Sequence, residues 1–286
     1  MTTYAVTAAT GQLGRLVVDA LLALEIPAAS IVAIARDPGK LADLEPLGVT
    51  TRTADYGNPE ALYEALQGVD RLLLISGNQV GHRLAEHTHV VDAARGAGVE
   101  RIAYTSILWA DFSTNPLAEE HLATERMIAD TGLPHTFLRH GWYTENYTDQ
   151  IRQYVAAREI VTATGGATLA TAARGDFAAA DAFALVNDTA EEVVWELAGP
   201  GWTMTEFAAE VSLAAGREIL ARDVTPADLV ERSVAAGAPE AGARFGALID
   251  ASIAAGQLDA PSEPLRLLLQ GRAPLTMPQI VAASQH

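Results

Sequence analysis

The first residues of types suited to chemistry are Ala8-Ala9-Thr10-Gly11-Gln12-Leu13-Gly14, close to the start of the chain. They follow a short apolar run and precede a helical pattern of Leu and Val, so the spacing predicts a strand, a tight turn and a helix. In such a turn the free N–H groups and the positive end of the helix dipole face a phosphate. Gly11 lets the backbone approach the phosphates, and Gly14 lets the helix pack on the strand. We therefore expect a dinucleotide to place its pyrophosphate against Ala8, Thr10, Gly11, Gln12 and Leu13.

Two cations follow the second predicted strand, where the choice between NAD and NADP is usually made. Arg36 stands at the position where an NAD site places a carboxylate, and Lys40 lies one turn further on. Both suit the extra 2′-phosphate of NADP, although two solvated surface charges would give the same pattern. Asp55, after the third strand, could accept from the adenine amine or cap the next helix. The expected cofactor is NADP(H).

Small and polar residues follow the later predicted strands. Ligands of open α/β sheets bind at the carboxyl ends of the strands, so residues there are candidates for the second ribose and the nicotinamide. These candidates are Ser76, Gly77, Asn78, Thr105, Ser106, Arg139, His140, Gly141, Trp142 and Tyr143.

Six strands alternate with helical segments and short connections over the first half of the chain. Such alternation predicts an α/β fold, a Rossmann-type doubly wound parallel sheet with helices on both faces, because crossover connections are right-handed. The predicted strands are residues 3–7, 31–35, 49–54, 71–76, 101–106 and 135–139.

The alternation becomes less regular after about residue 140. We expect residues 1–145 to form an NAD(P)-binding domain and residues 146–286 a smaller α/β subdomain on the substrate side, with some segments interleaving with the main sheet. Residues 162–173 read as a hairpin that turns at Gly165-Gly166, and residues 192–197 read as a strand.

Composition narrows the function further. Lys and Arg number 19 against 36 Asp and Glu, a net charge of −17, which argues against a nucleic-acid partner or an anionic membrane surface. The chain has no cysteine, and His82, His87 and His89 do not share a helix face, so we expect no metal. No apolar run reaches the roughly 18–20 residues of a membrane span, and no signal peptide is evident, so a cytoplasmic protein is expected. The sequence does not decide whether the protein forms a homodimer.

Several of these motifs together resemble a known family, the bacterial NAD(P)H:quinone oxidoreductases of type 2 in the NmrA-like branch of atypical short-chain dehydrogenases. The resemblance implies that Arg36 binds the 2′-phosphate, that Ser76 lies near the ribose, and that residues 139–144 lie beside the nicotinamide. Ala8 replaces the usual glycine, and His140 stands where asparagine is expected. The motifs are Thr10-Gly11-Gln12-Leu13-Gly14, Ala33-Ile34-Ala35-Arg36-Asp37-Pro38, Ala54-Asp55-Tyr56-Gly57, Leu72-Leu73-Leu74-Ile75-Ser76, Tyr104-Thr105-Ser106 and residues 138–147.

One acid expected of short-chain dehydrogenases is missing. Carbonyl reductases use a Tyr-x-x-x-Lys pair, in which the tyrosine protonates the developing alkoxide. The corresponding segment here begins with Leu117, which cannot donate a proton, and carries His121 four residues later. His121 is a candidate for the general acid or for a ribose contact, and a plain surface histidine is the alternative. A quinone needs less help, because its reduced oxygen is a stabilised phenolate.

The aromatic residues after the sixth strand offer a flat surface. Trp142, Tyr143 and Tyr147 could stack on a quinone, or they could pack between subdomains. His121 and Tyr143 are the catalytic candidates, and the expected partner is a small-molecule acceptor, a quinone. Two other functions stay open, a non-catalytic NADP(H)-sensing regulator and an atypical carbonyl or enone reductase.

Overall fold

The computed structural model of the chain describes residues 1–284, and its strands form one large sheet and two small ones. Short apolar segments build most of the large sheet because both of its faces are covered. The strands are β1 (Tyr4–Val6), β2 (Ile31–Ala35), β3 (Thr50–Thr53), β4 (Arg71–Leu74), β5 (Arg101–Ile107), β6 (His135–His140), β7 (Trp142–Tyr143), β8 (Glu159–Thr162), β9 (Leu169–Ala172), β10 (Glu192–Leu197), β11 (Gly201–Trp202) and β12 (Leu220–Asp223).

Helices follow most of the strands. Several begin with a side-chain cap, such as Asn58, whose carbonyl accepts from the Ala61 N–H at 3.1 Å. The helices are α1 (Gln12–Ala23), α2 (Pro59–Ala65), α3 (Arg83–Ala97), α4 (Ala118–Asp130), α5 (Glu145–Thr148), α6 (Ile151–Ala157), α7 (Arg174–Asn187), α8 (Met204–Ala215), α9 (Pro226–Ala235), α10 (Glu240–Ala254), α11 (Glu263–Leu268) and α12 (Met277–Ala283).

The large sheet has seven parallel strands in the order β3-β2-β1-β4-β5-β6-β10. The first six have the doubly wound order expected from the sequence, so the fold class is confirmed. The direction of winding reverses between β1 and β4, and this switch point is where such sheets bind ligands.

Helices bury apolar side chains on both faces of the sheet. On one face α1 and α7 pack together, with Val17, Leu21 and Phe177 fully buried. On the other face α2, α3 and α4 cover the sheet through residues such as Leu62 and Val90. Burial of this kind contributes roughly 1.5–3 kcal/mol for each large apolar side chain, which fixes the strand ends that carry the site.

The second half of the chain contributes to the main sheet and builds two smaller ones. Strand β10 joins the sheet beside β6, while β7 and β11 flank β9, and β8 pairs with β12. The hairpin prediction for residues 162–173 is wrong. Strands β8 and β9 pair with different partners, and Gly165 and Gly166, both left-handed, connect the two small sheets.

Tyr147 lies away from the main cleft. Its ring packs edge-on against Trp202, with 5.3 Å between ring centroids, and against Phe207 in an apolar cluster of the C-terminal region. Tyr147 therefore packs within the C-terminal region, and not between the two subdomains as the alternative supposed. None of the helices between residues 1 and 284 is both long and apolar enough to cross a membrane.

Candidate active site

A cavity of about 700 Å³ opens at the carboxyl ends of the central strands. Its volume is within the usual range for a small-molecule or cofactor site. Of the site residues predicted from the sequence, Arg139 does not line it, and neither does Thr144 at the end of the segment 139–144. The others are Ala8, Thr10, Gly11, Gln12, Leu13, Arg36, Lys40, Asp55, Ser76, Gly77, Asn78, Thr105, Ser106, His121, His140, Gly141, Trp142 and Tyr143.

The turn between β1 and α1 is tightly folded on itself. Ala8 adopts a left-handed conformation, with φ of 49°, and its carbonyl accepts the Gly11 N–H at 2.8 Å. A Cβ on Gly14 would lie 2.4 Å from the Ala8 carbonyl oxygen, so no side chain fits there. Within the described residues no side chain caps α1. The free N–H groups of its first turn therefore face the cavity mouth, as a pyrophosphate requires.

Ala8 carries the strain that a glycine would avoid. A left-handed conformation costs a non-glycine residue roughly 1–2 kcal/mol, while glycine costs about 0.5–1 kcal/mol in the unfolded chain. We expect Ala8→Gly to raise the free energy of unfolding by about 0.5 kcal/mol, measured by urea denaturation. The neighbouring Ala9→Gly, at a buried position without positive φ, should lower it instead. Destabilisation by Ala8→Gly would contradict the strain argument.

The far end of the cavity, by contrast, carries exposed charge. Arg36 is 71% exposed, and its Nε lies 3.8 Å from Asp55 Oδ2. Lys40 lines the same end of the cavity. Asp55 does not cap α2, since Asn58 does so, and Asp55 Oδ1 accepts the Gly57 N–H at 2.7 Å instead. The loose pair between Arg36 and Asp55 leaves the guanidinium able to bind a phosphate.

A hydroxyl joins the two strands at the switch point. Thr7 Oγ1 donates to the Leu73 carbonyl at 3.2 Å and accepts the Ile75 N–H at 3.0 Å. The Tyr56 hydroxyl lies 2.6 Å from Thr7 Oγ1 and 2.7 Å from the Ile75 carbonyl. The ends of β1 and β4 are therefore held together directly beneath the cavity.

The segment after β4 is held by the predicted site residue Thr105 and by residues of α3 and α4 that sequence reasoning did not single out for the site. The Ser76 N–H donates to Thr105 Oγ1 at 2.9 Å, and the Gly77 N–H donates to His87 Nε2 at 2.9 Å. Arg83 Nε donates to the Gly77 carbonyl at 2.9 Å. Arg83 also pairs with Glu120 at 3.1 Å, so α3 and α4 together fix the loop.

His87 acts as a neutral hydrogen-bond group. Burial, aided by the charge of Arg83, lowers the pKa of His87 to about 3. Since Nε2 accepts from Gly77, Nδ1 carries the proton and donates to Thr124 Oγ1 at 3.1 Å. His89 instead contacts the Tyr56 carbonyl at 2.8 Å. Among residues 1–284 no group of three or more His, Asp or Glu side chains is arranged to hold a metal ion.

His121 is buried beside the cavity. Its exposed fraction is 5%, so the interpretation as a surface histidine is wrong. The Tyr104 hydroxyl lies 2.8 Å from His121 Nδ1. Burial lowers the pKa of His121 well below 6.5, and the nearby charge of Arg83 adds to this. At neutral pH the ring is uncharged, and a neutral imidazole offers one N–H to a ligand.

Arg139 belongs to a buried ion-pair network and not to the cavity wall. Its guanidinium donates to both Glu125 oxygens, at 2.9 and 2.7 Å, and to Glu196 Oε1 at 2.7 Å. Asp111 lies at 3.1 Å, and the Ser106 hydroxyl donates to the same Glu125 at 2.5 Å. The structure thus does not bring Arg139 to the expected nicotinamide end. Arg139 instead holds β6 against α4 and β10 through these ion pairs.

The expected nicotinamide end is built from β6, β7 and α7. His140, Gly141, Trp142 and Tyr143 line the cavity there. Arg174, at the start of α7, also lines it, and its guanidinium carbon lies 4.9 Å from the centroid of the Tyr143 ring. The sequence gives little sign of Arg174, because it lies 31 residues after Tyr143 and reaches the site only by packing of α7.

The sheet order, the turn and the cavity define a dinucleotide-binding Rossmann protein, in which an anion site at one end leads to an aromatic end. The turn fits a pyrophosphate, because Gly11 and Gly14 let it fold tightly against the Ala8 carbonyl while the first N–H groups of α1 have no side-chain cap among the described residues. The chain belongs to the NAD(P)H-binding family, whose model matches residues 8–188.

Individual relatives agree with this assignment. Quinone oxidoreductase 2 of Escherichia coli (strain K12) is 42% identical over 93% of each chain. The crystal structure of the Escherichia coli NADPH-dependent quinone oxidoreductase QOR2 with NADPH matches 98% of this chain and 99% of its own, with a TM-score of 0.94 and 40% identity. Citrobacter sp. triphenylmethane reductase with NADP(H) matches 99% of both chains, with a TM-score of 0.92 and 36% identity. These likenesses confirm the resemblance found in the motifs.

Proposed function

We propose that this protein reduces quinones or similarly flat, electron-poor acceptors with NADPH. The observation that carries the proposal is one cavity with Arg36 at its charged end and Trp142 and Tyr143 at its aromatic end. The names of the relatives, a quinone oxidoreductase and a triphenylmethane reductase, support it. When bound, the nicotinamide cofactor supplies a hydride.

Residues of the chain bind the cofactor phosphates, stack on the acceptor and stabilise the charge that forms on it. The N-terminal N–H groups of α1 hold the pyrophosphate, and Arg36 and Lys40 hold the 2′-phosphate. Trp142 and Tyr143 present ring surface to a flat acceptor. His121, kept neutral by burial, offers an N–H to the oxygen that becomes negative as the acceptor is reduced.

The test is oxidation of NADPH with a panel of small quinones, run beside a panel of ketones and enones. We expect turnover with the quinones and little with the ketones, because the sequence predicts Leu117 at the position where ketone reductases carry their tyrosine acid. Cofactor binding without turnover on any acceptor would instead support an NADP(H)-sensing regulator. Preferential turnover of enones or ketones would support an atypical carbonyl or enone reductase.

His121→Ala is expected to lower kcat for a quinone about tenfold. The loss is modest because the phenolate is stable, so one hydrogen bond contributes less than it does to an alkoxide. Since a lowered pKa leaves His121 uncharged above that pKa, the ratio of parent to variant kcat should stay constant from about pH 6 to pH 8. The matched control is His82→Ala, an exposed histidine outside the cavity. A ratio that changes near pH 6.5 would contradict the neutral role.

A further inference from the structure

A carboxylate with no surface exposure lies behind the aromatic end of the cavity. Asp181 is 0% exposed on α7, among apolar neighbours that include Phe177. Its Oδ1 lies 2.7 Å from His140 Nε2. Its Oδ2 has no hydrogen-bond partner within residues 1–284. A buried carboxylate with one free oxygen is costly when charged, so the contact with His140 is its means of holding or sharing a proton.

His140 connects this carboxylate to the cavity. It ends β6, and its ring stacks on Phe177 with 4.4 Å between centroids, which fixes the ring plane. The other ring nitrogen, Nδ1, lies 3.4 Å from the Tyr143 hydroxyl. That distance is long, as contacts used in catalysis often are before the substrate binds. Asp181, His140 and Tyr143 thus form a continuous polar path from the core to the cavity.

Several charged groups surround the path, and of these the Asp181 carboxylate is the one that contacts the His140 ring. Tyr143 on β7 faces Arg174 of α7 across its ring, and Glu145 of α5 accepts the Arg174 N–H at 2.8 Å. His121 of α4 lies on the cavity wall nearby. Burial raises the pKa of Asp181, and the hydrogen bond with His140 opposes this. The 2.7 Å contact between Asp181 Oδ1 and His140 Nε2, with no surface exposure at Asp181, is the geometry in which one proton lies between the two atoms.

We propose that Asp181 and His140 store a proton and deliver it through Tyr143 to the reduced acceptor, an inference that rests on the proposed quinone reduction. In this step an O–H bond forms on the acceptor oxyanion and the O–H bond of Tyr143 breaks. Tyr143 regains a proton from His140 Nδ1, and Nε2 takes the proton shared with Asp181 Oδ1. The step transfers no electrons and leaves Asp181 as a carboxylate, which water entering the cavity reprotonates through the same path.

The test is a double-mutant cycle of Asp181→Asn and Tyr143→Phe, both close in shape to the parent residues. Each variant is expected to lower kcat for a quinone about tenfold at pH 8 and less at pH 6, because the proton must then come from bulk water. The double variant should lose no more than either single variant, because both changes interrupt one path. Losses that multiply, or parental kcat in Asp181→Asn, would overturn the proposal.

A matched control separates this role from a purely structural one. Asp176 is a second buried carboxylate on α7, paired with Arg272 at 2.7 Å and away from His140. Asp176→Asn should lower the melting temperature but leave the pH profile of kcat unchanged. If Asp181→Asn behaves in the same way, with only its stability changed, Asp181 is structural and the proposal fails.

Proton NMR supplies a readout that needs neither cofactor nor turnover. The proton between Asp181 Oδ1 and His140 Nε2 should give a resonance far downfield of the backbone amides. It should persist in Tyr143→Phe and Asp176→Asn and be lost in Asp181→Asn; its absence from the parent would overturn the shared proton. If the parent fails to oxidise NADPH with any quinone, the proposed function fails, while this resonance still tests the Asp181–His140 pair.

Discussion

Replacing Arg36 with alanine is expected to lower the ratio of kcat/KM for NADPH to that for NADH about a hundredfold. Arg36 is 71% exposed at the charged end of the cavity, and its contact with Asp55 is a loose one of 3.8 Å. Charge-assisted hydrogen bonds to a phosphate contribute about 1.5–3 kcal/mol each, and every 1.4 kcal/mol is a factor of ten. NADH lacks the 2′-phosphate, so its kcat/KM should change little. Steady-state kinetics with both cofactors measures the ratio.

Arg15→Ala is the matched control for this experiment. Arg15 is another arginine, near the start of α1. It pairs with Asp19 and Asp43 and does not line the cavity. Its removal should leave the cofactor ratio unchanged. If Arg36→Ala behaves like Arg15→Ala, the 2′-phosphate is held elsewhere, and Lys40 becomes the residue to test next.

Glu125→Ala is expected to lower the free energy of unfolding by about 3 kcal/mol. Glu125 accepts two hydrogen bonds from Arg139, so its removal leaves a buried guanidinium whose remaining carboxylate partners among residues 1–284 are Glu196 and Asp111. Removing one partner of a buried ion pair typically costs about 3–5 kcal/mol, and the remaining carboxylates keep the loss near the lower end. Chemical denaturation at neutral pH measures it.

The control for this prediction lies on the same helix. Glu119 is exposed on α4, and Glu119→Ala should change stability by less than about 0.5 kcal/mol. Because Arg139 is not on the cavity wall, Kd for NADPH in Glu125→Ala should stay close to the parent value at temperatures where the protein is folded. Ser106 lines the cavity and donates to Glu125, so Ser106→Ala is measured beside it. A large rise in Kd that Ser106→Ala does not reproduce, with little loss of stability, would mean that Arg139 serves the ligand directly.

Local patterns predicted most of the fold and most of the cavity wall. Apolar runs such as residues 71–76 are typical of covered parallel strands, and the residues after them lie at the ligand edge by the geometry of the sheet alone. Strand β10 was also predicted as a strand, but its place beside β6 was not. It lies at the edge of the sheet, where Val194 is 49% exposed, so its pattern resembles that of any peripheral strand.

The residues that support the site and that sequence reasoning missed are brought there by tertiary packing. Arg83 and His87 approach the loop after β4 from one face of α3, and Asp181 approaches β6 from α7. The sequence predicted that Arg139 contacts the ligand, because it lies at the end of a strand. A charged residue at that position is equally suited to a ligand contact and to a buried ion pair, so the sequence does not distinguish the two. Its partner Glu196 lies 57 residues away in sequence, and no local pattern reveals such a pair.

The domain boundary and the oligomeric state stay predictions, as do the roles of the site residues and the cytoplasmic location. The boundary near residue 145 separates two units by sequence pattern, although α7 and β10 pack into the first of them. A homodimer would be tested by measuring the mass of the protein in solution.

The hydroxyl of Thr7 has a consequence for how a cofactor enters. Because Thr7 and Tyr56 tie the ends of β1 and β4 together, the protein itself sets the spacing of the two strand ends at the switch point. A rigid cleft of this kind loses little backbone entropy on binding, so the interaction energy of the phosphates appears as affinity rather than as strand rearrangement. A cofactor that binds over the joined ends of β1 and β4 therefore meets a preformed surface, and the strands do not have to rearrange around it.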